Sequence, residues 1–145
     1  MFCFPNADAG SHQIMQKVKL HCQKFKKAQV YTNLPAQTYW GLLMCADVML
    51  GNSSSGIMET PTLKLPTINI GIRQKGREQA ANIIDTIPNE SAIIAAIEKA
   101  LSTDFIESLK GLINPYGDGC AAEKIQQVLS QLDINQELIF KKNIL

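Results

Sequence analysis

A chain of 145 residues has the length of one domain and is long enough to bury a hydrophobic core. Its net charge of +1 and its charged content of 19% give no reason to expect nucleic acid or a membrane surface as a partner. Its apolar stretches fall short of the roughly 20 residues that a transmembrane helix needs, and the N-terminus has no signal-peptide pattern. We therefore expect a cytoplasmic globular protein.

The four cysteines form neither a CxxC pair nor a zinc-finger pattern. The two histidines, His12 and His21, lie too far apart for a metal pair on one helix. We therefore expect free thiols in a reducing compartment, with no metal ion and no cofactor.

The first third of the chain predicts two strands, each followed by a helix. Residues 2–5 resemble the end of a strand, and residues 29–32 form a second short strand. One helix is expected to begin at Ser11, and Pro35 suits the first turn of another that runs to about residue 45. Trp40 lies outside the apolar stripe, and we expect it to be partly exposed. The expected core faces are Ile14, Val18, Cys22 and Phe25 in the first helix, and Tyr39, Leu42, Leu43 and Ala46 in the second.

The remainder predicts three more strands in alternation with helices. Strands are expected at residues 47–50, 66–71 and 82–86. A short helix at residues 57–63 is interrupted by Pro61, Asn89 caps a longer helix, and residues 104–111 and 121–132 form two more. The expected core faces are Ile93, Ile94, Ile97 and Leu101 in the capped helix, and Ile125, Val128, Leu129 and Leu132 in the last helix.

Short strands that alternate with helices indicate a parallel sheet with helices on both faces. We therefore predict an α/β, Rossmann-like domain over residues 1–132, followed by a C-terminal tail at residues 133–145.

The turn at residues 51–56, Gly-Asn-Ser-Ser-Ser-Gly, lies between a strand and a helix and predicts an anion site. The first N–H groups of a helix lack intrahelical partners and attract phosphate. Gly56 lets the backbone come close, while Ser53 and Ser54 can cap the helix or donate their hydroxyls. Arg73 follows the next strand and can approach the same anion, because the carboxyl ends of parallel strands share one edge of the sheet.

Glu59 lies one residue beyond the position that a capping box from Ser55 would require. A carboxylate there suits sugar hydroxyls that lie slightly farther away than the phosphate. The stretch contains neither the Gly-Lys-Ser/Thr of a phosphate-binding P-loop nor the GxGxxG of a dinucleotide site. On the residues alone, a turn without a ligand followed by a solvated basic loop remains a second interpretation.

Residues 51–77, GNSSSGIMETPTLKLPTINIGIRQKGR, resemble the hydrolysing UDP-N-acetylglucosamine 2-epimerases of sialic and nonulosonic acid synthesis. Three further stretches agree in order and spacing: FPNADAGS at residues 4–11, Ala46-Asp47, and YGDG at residues 116–119. The resemblance covers nearly the whole chain up to about Leu132, and its combination of motifs is specific.

The resemblance implies the C-terminal half of a GT-B fold, which holds the nucleotide. It implies that Ser53 and Ser54 hold the UDP diphosphate at the helix start, with Gly56 in the same turn. It further implies that Glu59 binds the ribose hydroxyls and that Arg73 belongs to the UDP site.

Two more positions come from the resemblance alone. The backbone of Leu34 matches a segment that pairs with uracil, and Asn6 matches an asparagine that lines the cleft.

The implied reaction eliminates UDP from UDP-N-acetylglucosamine and adds water, which yields N-acetylmannosamine and UDP. Its catalytic carboxylates are expected in an N-terminal domain ahead of Met1, so this chain is expected to be the UDP-binding half and inactive alone. The full-length enzyme is expected to be a homo-oligomer. The alternatives are a non-catalytic UDP-sugar-binding module and a GT-B glycosyltransferase domain. The sequence does not distinguish UDP-N-acetylglucosamine from UDP-diacetylbacillosamine as the substrate.

Overall fold

A computed structural model describes residues 1–4 and 10–135 of the chain. It divides at Ala46 into two compact units, Met1–Ala46 and the part that begins at Asp47. Each unit is described by itself below.

The first unit consists of two strands and two helices in alternation. The strands pair in parallel, with Phe2 opposite Val30 and Cys3 opposite Tyr31. Parallel neighbours need a crossover connection, and the first helix supplies it. The elements are β1 Phe2–Cys3, α1 Ser11–Lys24, β2 Val30–Tyr31 and α2 Ala36–Met44.

The core face of α1 is rotated relative to the face predicted for it. Ile14 and Phe25 are more than half exposed, whereas Ser11 and Met15 are buried. Ser11, Met15 and the half-buried Val18 recur at helical spacing. The buried stripe therefore passes through Met15, whereas the predicted stripe passed through its neighbour Ile14. The prediction that Ile14 and Phe25 are core residues was wrong.

In α2 the predicted stripe is confirmed. Leu43 is buried, and Tyr39, Leu42 and Ala46 are half-buried. Pro35 precedes the first helical residue, where its fixed φ costs the helix nothing. Trp40 is partly exposed, as predicted.

The second unit is built on a three-stranded parallel sheet in the order β3-β4-β5. Leu50 lies opposite Ile68, and Ile68 lies opposite Ile84, so the three strands are in register at their centres. Strands were predicted at these three places, and their presence is confirmed. The elements are β3 Met49–Gly51, α3 Ser55–Met58, α4 Thr60–Leu63, β4 Thr67–Ile70, β5 Ile83–Thr86, α5 Glu90–Ala100, α6 Thr103–Ser108 and α7 Ala121–Gln131.

Helices cover both faces of this sheet. Ile68 packs with Ala96 and Ala100 of α5 in a core cluster, while its neighbour Thr67 faces Thr60 of α4. Adjacent residues of a strand point to opposite faces. The predicted α/β class, with parallel strands flanked by helices, is therefore confirmed.

Asn89 caps α5 as predicted, because its side-chain oxygen accepts the Ala92 N–H at 2.8 Å. The core face of α5 is narrower than predicted. Ile94 and Leu101 are about half exposed, and the small Ala96 and Ala100 lie against β4 instead. Small residues let the helix come close to the sheet, so the largest apolar residues of the helix need not be its core.

The last helix, α7, has the predicted bounds to within one residue but not the predicted burial. Ile125, Val128, Leu129 and Leu132 are 42–63% exposed. Their spacing places them on one face of the helix, as predicted. Among residues 1–4 and 10–135, no element buries that face. Within the same residues, no helix is both long and apolar enough to cross a membrane.

Candidate functional site

The serine turn after β3 is held by hydrogen bonds between its own residues. The Ser55 N–H donates to the Ser53 hydroxyl at 3.3 Å. The N–H groups of Gly56 and Ile57 donate to the carbonyls of Ser53 and Ser54 at 3.1 and 3.0 Å. These amides therefore already have acceptors. The hydroxyls of Ser53 and Ser54 can donate to an anion without breaking these backbone hydrogen bonds.

Gly56 contributes packing rather than an open backbone. It is buried, and a Cβ at this position would lie 2.9 Å from the Thr67 Cγ2 and 3.5 Å from the Met49 sulfur. No other residue fits between α3 and the sheet without a shift of that side chain. The close contact of helix and sheet is thus one reason for a glycine at this position, and its role in the approach of an anion stays a prediction.

Glu59 lies at a break between two short helices, not inside one helix. The helix begins at Ser55, two residues earlier than predicted, and ends at Met58; α4 then starts at Thr60. Pro61 lies in the first turn of α4, where its missing N–H is tolerated. The break leaves Glu59 half-buried at a corner of the chain.

A buried polar network centred on Thr60, the residue after Glu59, holds this corner in place. The Thr60 hydroxyl donates to the Gly56 carbonyl at 2.6 Å and accepts from the Thr67 hydroxyl at 2.8 Å and the Asn82 amide at 3.0 Å. The same Asn82 amide also donates to the Leu65 carbonyl at 2.8 Å. Thr60 and Asn82 are fully buried. Such a network specifies one arrangement, because a broken bond from the Asn82 amide leaves a buried N–H unpaired.

The loop after β4 reaches the serine turn through two side chains. The Arg73 Nη1 donates to the Asn52 carbonyl at 3.3 Å, and the Gln74 Nε2 donates to the same oxygen at 2.8 Å. Gly71 takes a φ of 81° at the start of the loop, a conformation that glycine adopts without strain. Gln74 is 3% exposed, whereas Arg73 is exposed. The buried glutamine anchors the loop and leaves the guanidinium of Arg73 beside the turn that holds Ser53 and Ser54.

Other contacts brace the far end of the same loop. The Arg77 Nη1 lies 3.6 Å from the sulfur of Met58, and the Tyr116 hydroxyl donates to the Glu78 carbonyl at 2.9 Å. The YGDG motif is thus in contact with the basic loop. Asp118 of this motif lies 2.8 Å from the Lys124 ammonium, measured from its Oδ2 to the Lys124 Nζ. This contact, together with the hydrogen bond from the Cys120 N–H, holds the pKa of Asp118 below its usual range.

The other two predicted site residues, Leu34 and Asn6, stay predictions. Leu34 belongs to the first unit, where it is half-buried just before Pro35. Asn6 lies outside the described residues. Within residues 1–4 and 10–135, no three His, Cys, Asp or Glu side chains form a group that could hold a metal ion.

The model of one protein family, UDP-N-acetylglucosamine 2-epimerase, matches residues 1–130. The chain belongs to this family. The match includes every predicted site residue, the serine turn and the loop of Arg73.

Curated members of the 2-epimerase family agree with this assignment. The chain is 40% identical, over its whole length, to a GDP/UDP-N,N'-diacetylbacillosamine 2-epimerase (hydrolyzing) of Campylobacter jejuni, and covers 37% of that protein. It is 38% identical over 80% of its length to the polysialic acid biosynthesis protein P7 of Escherichia coli, and covers 29% of that protein. It is 32% identical over 96% of its length to a UDP-N,N'-diacetylbacillosamine 2-epimerase (hydrolyzing) of Legionella pneumophila, and covers 36% of it. The chain thus spans about a third of the length of these relatives.

Sequence reasoning predicted the serine turn, Glu59 and Arg73 as site residues of this family member, but it missed the residues whose hydrogen bonds position them. Asn52, Gln74 and Thr60 act through hydrogen bonds to distant parts of the chain. The sequence around them carries no signal of this role: Asn52 lies in a polar turn, Thr60 in a short helix and Gln74 in a basic loop, where polar residues are usually exposed.

Proposed function

We propose that the chain is the nucleotide-binding part, over residues 1–132, of a hydrolysing UDP-N-acetylglucosamine 2-epimerase. Such an enzyme converts UDP-N-acetylglucosamine into N-acetylmannosamine and UDP. The observation that carries the proposal is the attachment of Arg73 and Gln74 to the serine turn in a chain of this family.

In this proposal the diphosphate binds to hydroxyls and a guanidinium. Ser53 and Ser54 offer their hydroxyls, and Arg73 offers charged N–H donors from the adjoining loop. A guanidinium binds phosphate oxygens through two parallel hydrogen bonds, which are shorter and stronger than neutral ones. Gly56 contributes indirectly, because its contact with the sheet sets the position of the turn.

The ribose is assigned to Glu59. A carboxylate in direct contact with the diphosphate would repel it, whereas a carboxylate one sugar ring away can accept hydrogen bonds from both hydroxyls. The corner between α3 and α4 supports this role, because Glu59 lies one helical turn beyond Ser55 and next to Thr60, which the buried network holds in place. The backbone of Leu34 is proposed to pair with uracil, and Asn6 to line the cleft.

Catalysis is assigned to the rest of the enzyme. Removing the proton at C2 of the sugar needs a general base within hydrogen-bonding reach, and Glu59 is already committed to the ribose. We propose that the acid and base carboxylates come from the portion of the relatives that the chain does not span, and that the whole enzyme is a cytoplasmic homo-oligomer.

A second candidate substrate is UDP-N,N'-diacetylbacillosamine. The observation in its favour is the 40% identity, across the whole chain, to the Campylobacter protein that carries this sugar in its name. Both substrates share UDP, so the site described above fits either one.

Calorimetric titration of the chain with UDP, GDP and uridine tests the proposal. We expect saturable UDP binding that is stronger than uridine binding, because the charged contacts go to the diphosphate. No binding of UDP at millimolar concentration would contradict the proposal.

An assay for sugar released from each UDP-sugar tests the division of labour. It is run on the chain with and without the separately produced N-terminal part of the Campylobacter relative. Release by the chain alone, at a rate unchanged by the added part, would show that the base lies among the chain's own carboxylates.

A further inference from the structure

Asn114 spans the break that presents Glu59. Its side-chain amide donates to the Met58 carbonyl at 2.9 Å and to the Thr62 hydroxyl at 2.8 Å. Met58 ends α3 and Thr62 lies within α4, so the two acceptors flank Glu59 in the sequence. One amide group therefore joins the two helices on either side of the carboxylate.

The break needs a donor from outside the two helices. Pro61 has no N–H to offer to the carbonyl of Ile57, four residues before it, so the helical pattern is already interrupted there. The Thr62 N–H donates at 3.1 Å to the carbonyl of Glu59, three residues back, rather than to that of Met58. The Met58 carbonyl is thereby released from the helical pattern, and Asn114 takes the place of the missing backbone donor.

Asn114 is itself held in place by its own segment. Its side-chain oxygen accepts the Tyr116 N–H at 2.9 Å, and the Tyr116 hydroxyl donates to the Glu78 carbonyl at 2.9 Å. Glu78 lies in the loop that carries Arg73. Residues 114–116, which we name the strap, thus connect the Glu59 corner to the basic loop.

We propose that Asn114 is a positioning residue for Glu59 and thereby sets the preference of the site for ribose. The inference rests on the proposed function, in which Glu59 accepts hydrogen bonds from the ribose hydroxyls of a nucleoside diphosphate. Loss of the Asn114 amide unties Met58 from Thr62 on either side of Glu59, so the carboxylate is held less tightly although the buried network at Thr60 remains. The diphosphate contacts at Ser53 and Arg73 are untouched by this change.

The test is the affinity for UDP and for 2′-deoxy-UDP in the parent chain and in Asn114→Asp. Aspartate keeps the oxygen that accepts the Tyr116 N–H and removes both donated bonds. We expect UDP affinity to fall about three- to tenfold, the range of one or two ordinary hydrogen bonds. The affinity for 2′-deoxy-UDP should fall by a smaller factor, because this ligand offers Glu59 only its 3′-hydroxyl. The ratio of the two affinities is a readout that a loss of general stability would not change selectively.

Asn89→Asp is the matched control, because it makes the same chemical change in the same unit and aspartate caps a helix as well as asparagine does. Thr62→Val removes one of the two acceptors without adding a charge and should lower the ratio by a smaller factor. If Asn114→Asp does not fold, the affinity ratio measured for Thr62→Val tests the inference in its place.

The outcomes separate the inference from the proposed function. A parent that binds no UDP overturns both. A parent that binds UDP and 2′-deoxy-UDP equally removes the ribose role of Glu59, and the inference with it. A parent that prefers UDP, with the preference unchanged in Asn114→Asp and Thr62→Val, overturns the inference alone.

Discussion

The two sides of the candidate site are held in different ways. On the Glu59 side, the corner between α3 and α4 rests on Thr60 and Asn82, both fully buried and hydrogen-bonded to each other. On the Arg73 side, the buried Gln74 ties the loop to the carbonyl of Asn52, but the guanidinium of Arg73 is exposed and its own bond to that oxygen is longer, at 3.3 Å. Buried polar networks lose more when broken than exposed contacts do. We infer that the carboxylate side is set before ligand binds, whereas the cationic side can adjust to its ligand.

Thr60→Val should produce the largest effect, because it breaks the network on the rigid side. Valine keeps the shape of threonine but leaves one N–H of the buried Asn82 amide unpaired and removes the bond to the Gly56 carbonyl, while the Thr67 hydroxyl keeps the Leu65 carbonyl at 3.1 Å. An unpaired buried group costs about 1–3 kcal/mol, so we expect a loss of about 3 kcal/mol in the free energy of unfolding. Urea denaturation measures it as a lower midpoint at an unchanged slope.

Thr103→Val is the control for that substitution, since Thr103 is an exposed threonine in the first turn of α6. It should change the midpoint little. Equal losses for the two variants would mean that the buried network contributes no more than an exposed hydroxyl, and the contrast between the two sides would disappear.

Glu59→Gln tests the carboxylate at the corner between α3 and α4, which is the rigid side of the site. We expect UDP binding to weaken by about 1–3 kcal/mol, as for the loss of a charge-assisted hydrogen bond. The binding of 2′-deoxy-UDP should weaken less. Calorimetry on both ligands measures the effect, with Glu90→Gln on α5 as the matched exposed glutamate. If Glu59→Gln and its parent bind UDP equally, Glu59 is not a ribose ligand.

Arg73→Ala probes the adjustable side and should have a smaller effect. The side chain is exposed, so water and salt screen its contact with phosphate, and we expect about a fivefold loss of UDP affinity. Uridine affinity should not change. Added salt should weaken UDP binding in the parent more than in the variant. Arg77→Ala is the control, and an equal loss for uridine and UDP would place Arg73 outside the phosphate site.

The elements of the fold could be predicted because their signals are local. The three strands of the second unit and the cap at Asn89 depend on residues close in sequence. Burial was harder, because an apolar stripe reveals a face but not what covers it. The stripe of Val128 and Leu129 on α7 is exposed, and in α5 the small Ala96 replaced the larger Ile94 at the sheet.

The site divides in the same way. The serine turn and Arg73 could be found from residue type and order, because a strand, a turn and a second strand bring them to one edge. The support for Glu59 could not. Asn82 and Asn114 reach the corner from 22 and 56 residues away in the sequence. The hydrophobic periodicity of a sequence carries no information on contacts between residues so far apart.

Asp118→Asn should have the smallest effect, because it breaks an ion pair that is exposed on both partners and has no buried network behind it. The Lys124 ammonium lowers the pKa of Asp118 in the folded chain. Its stabilisation is therefore complete above the ordinary aspartate pKa of about 3.9 and is lost as the pH falls through the lowered folded value. Asparagine keeps the acceptor for the Cys120 N–H and removes only the charge. We expect a slightly lower urea midpoint than the parent near pH 7 and no difference in acid below both pKa values. A difference that persists in acid would mean that Asp118 acts through its hydrogen bond or its packing rather than through its charge.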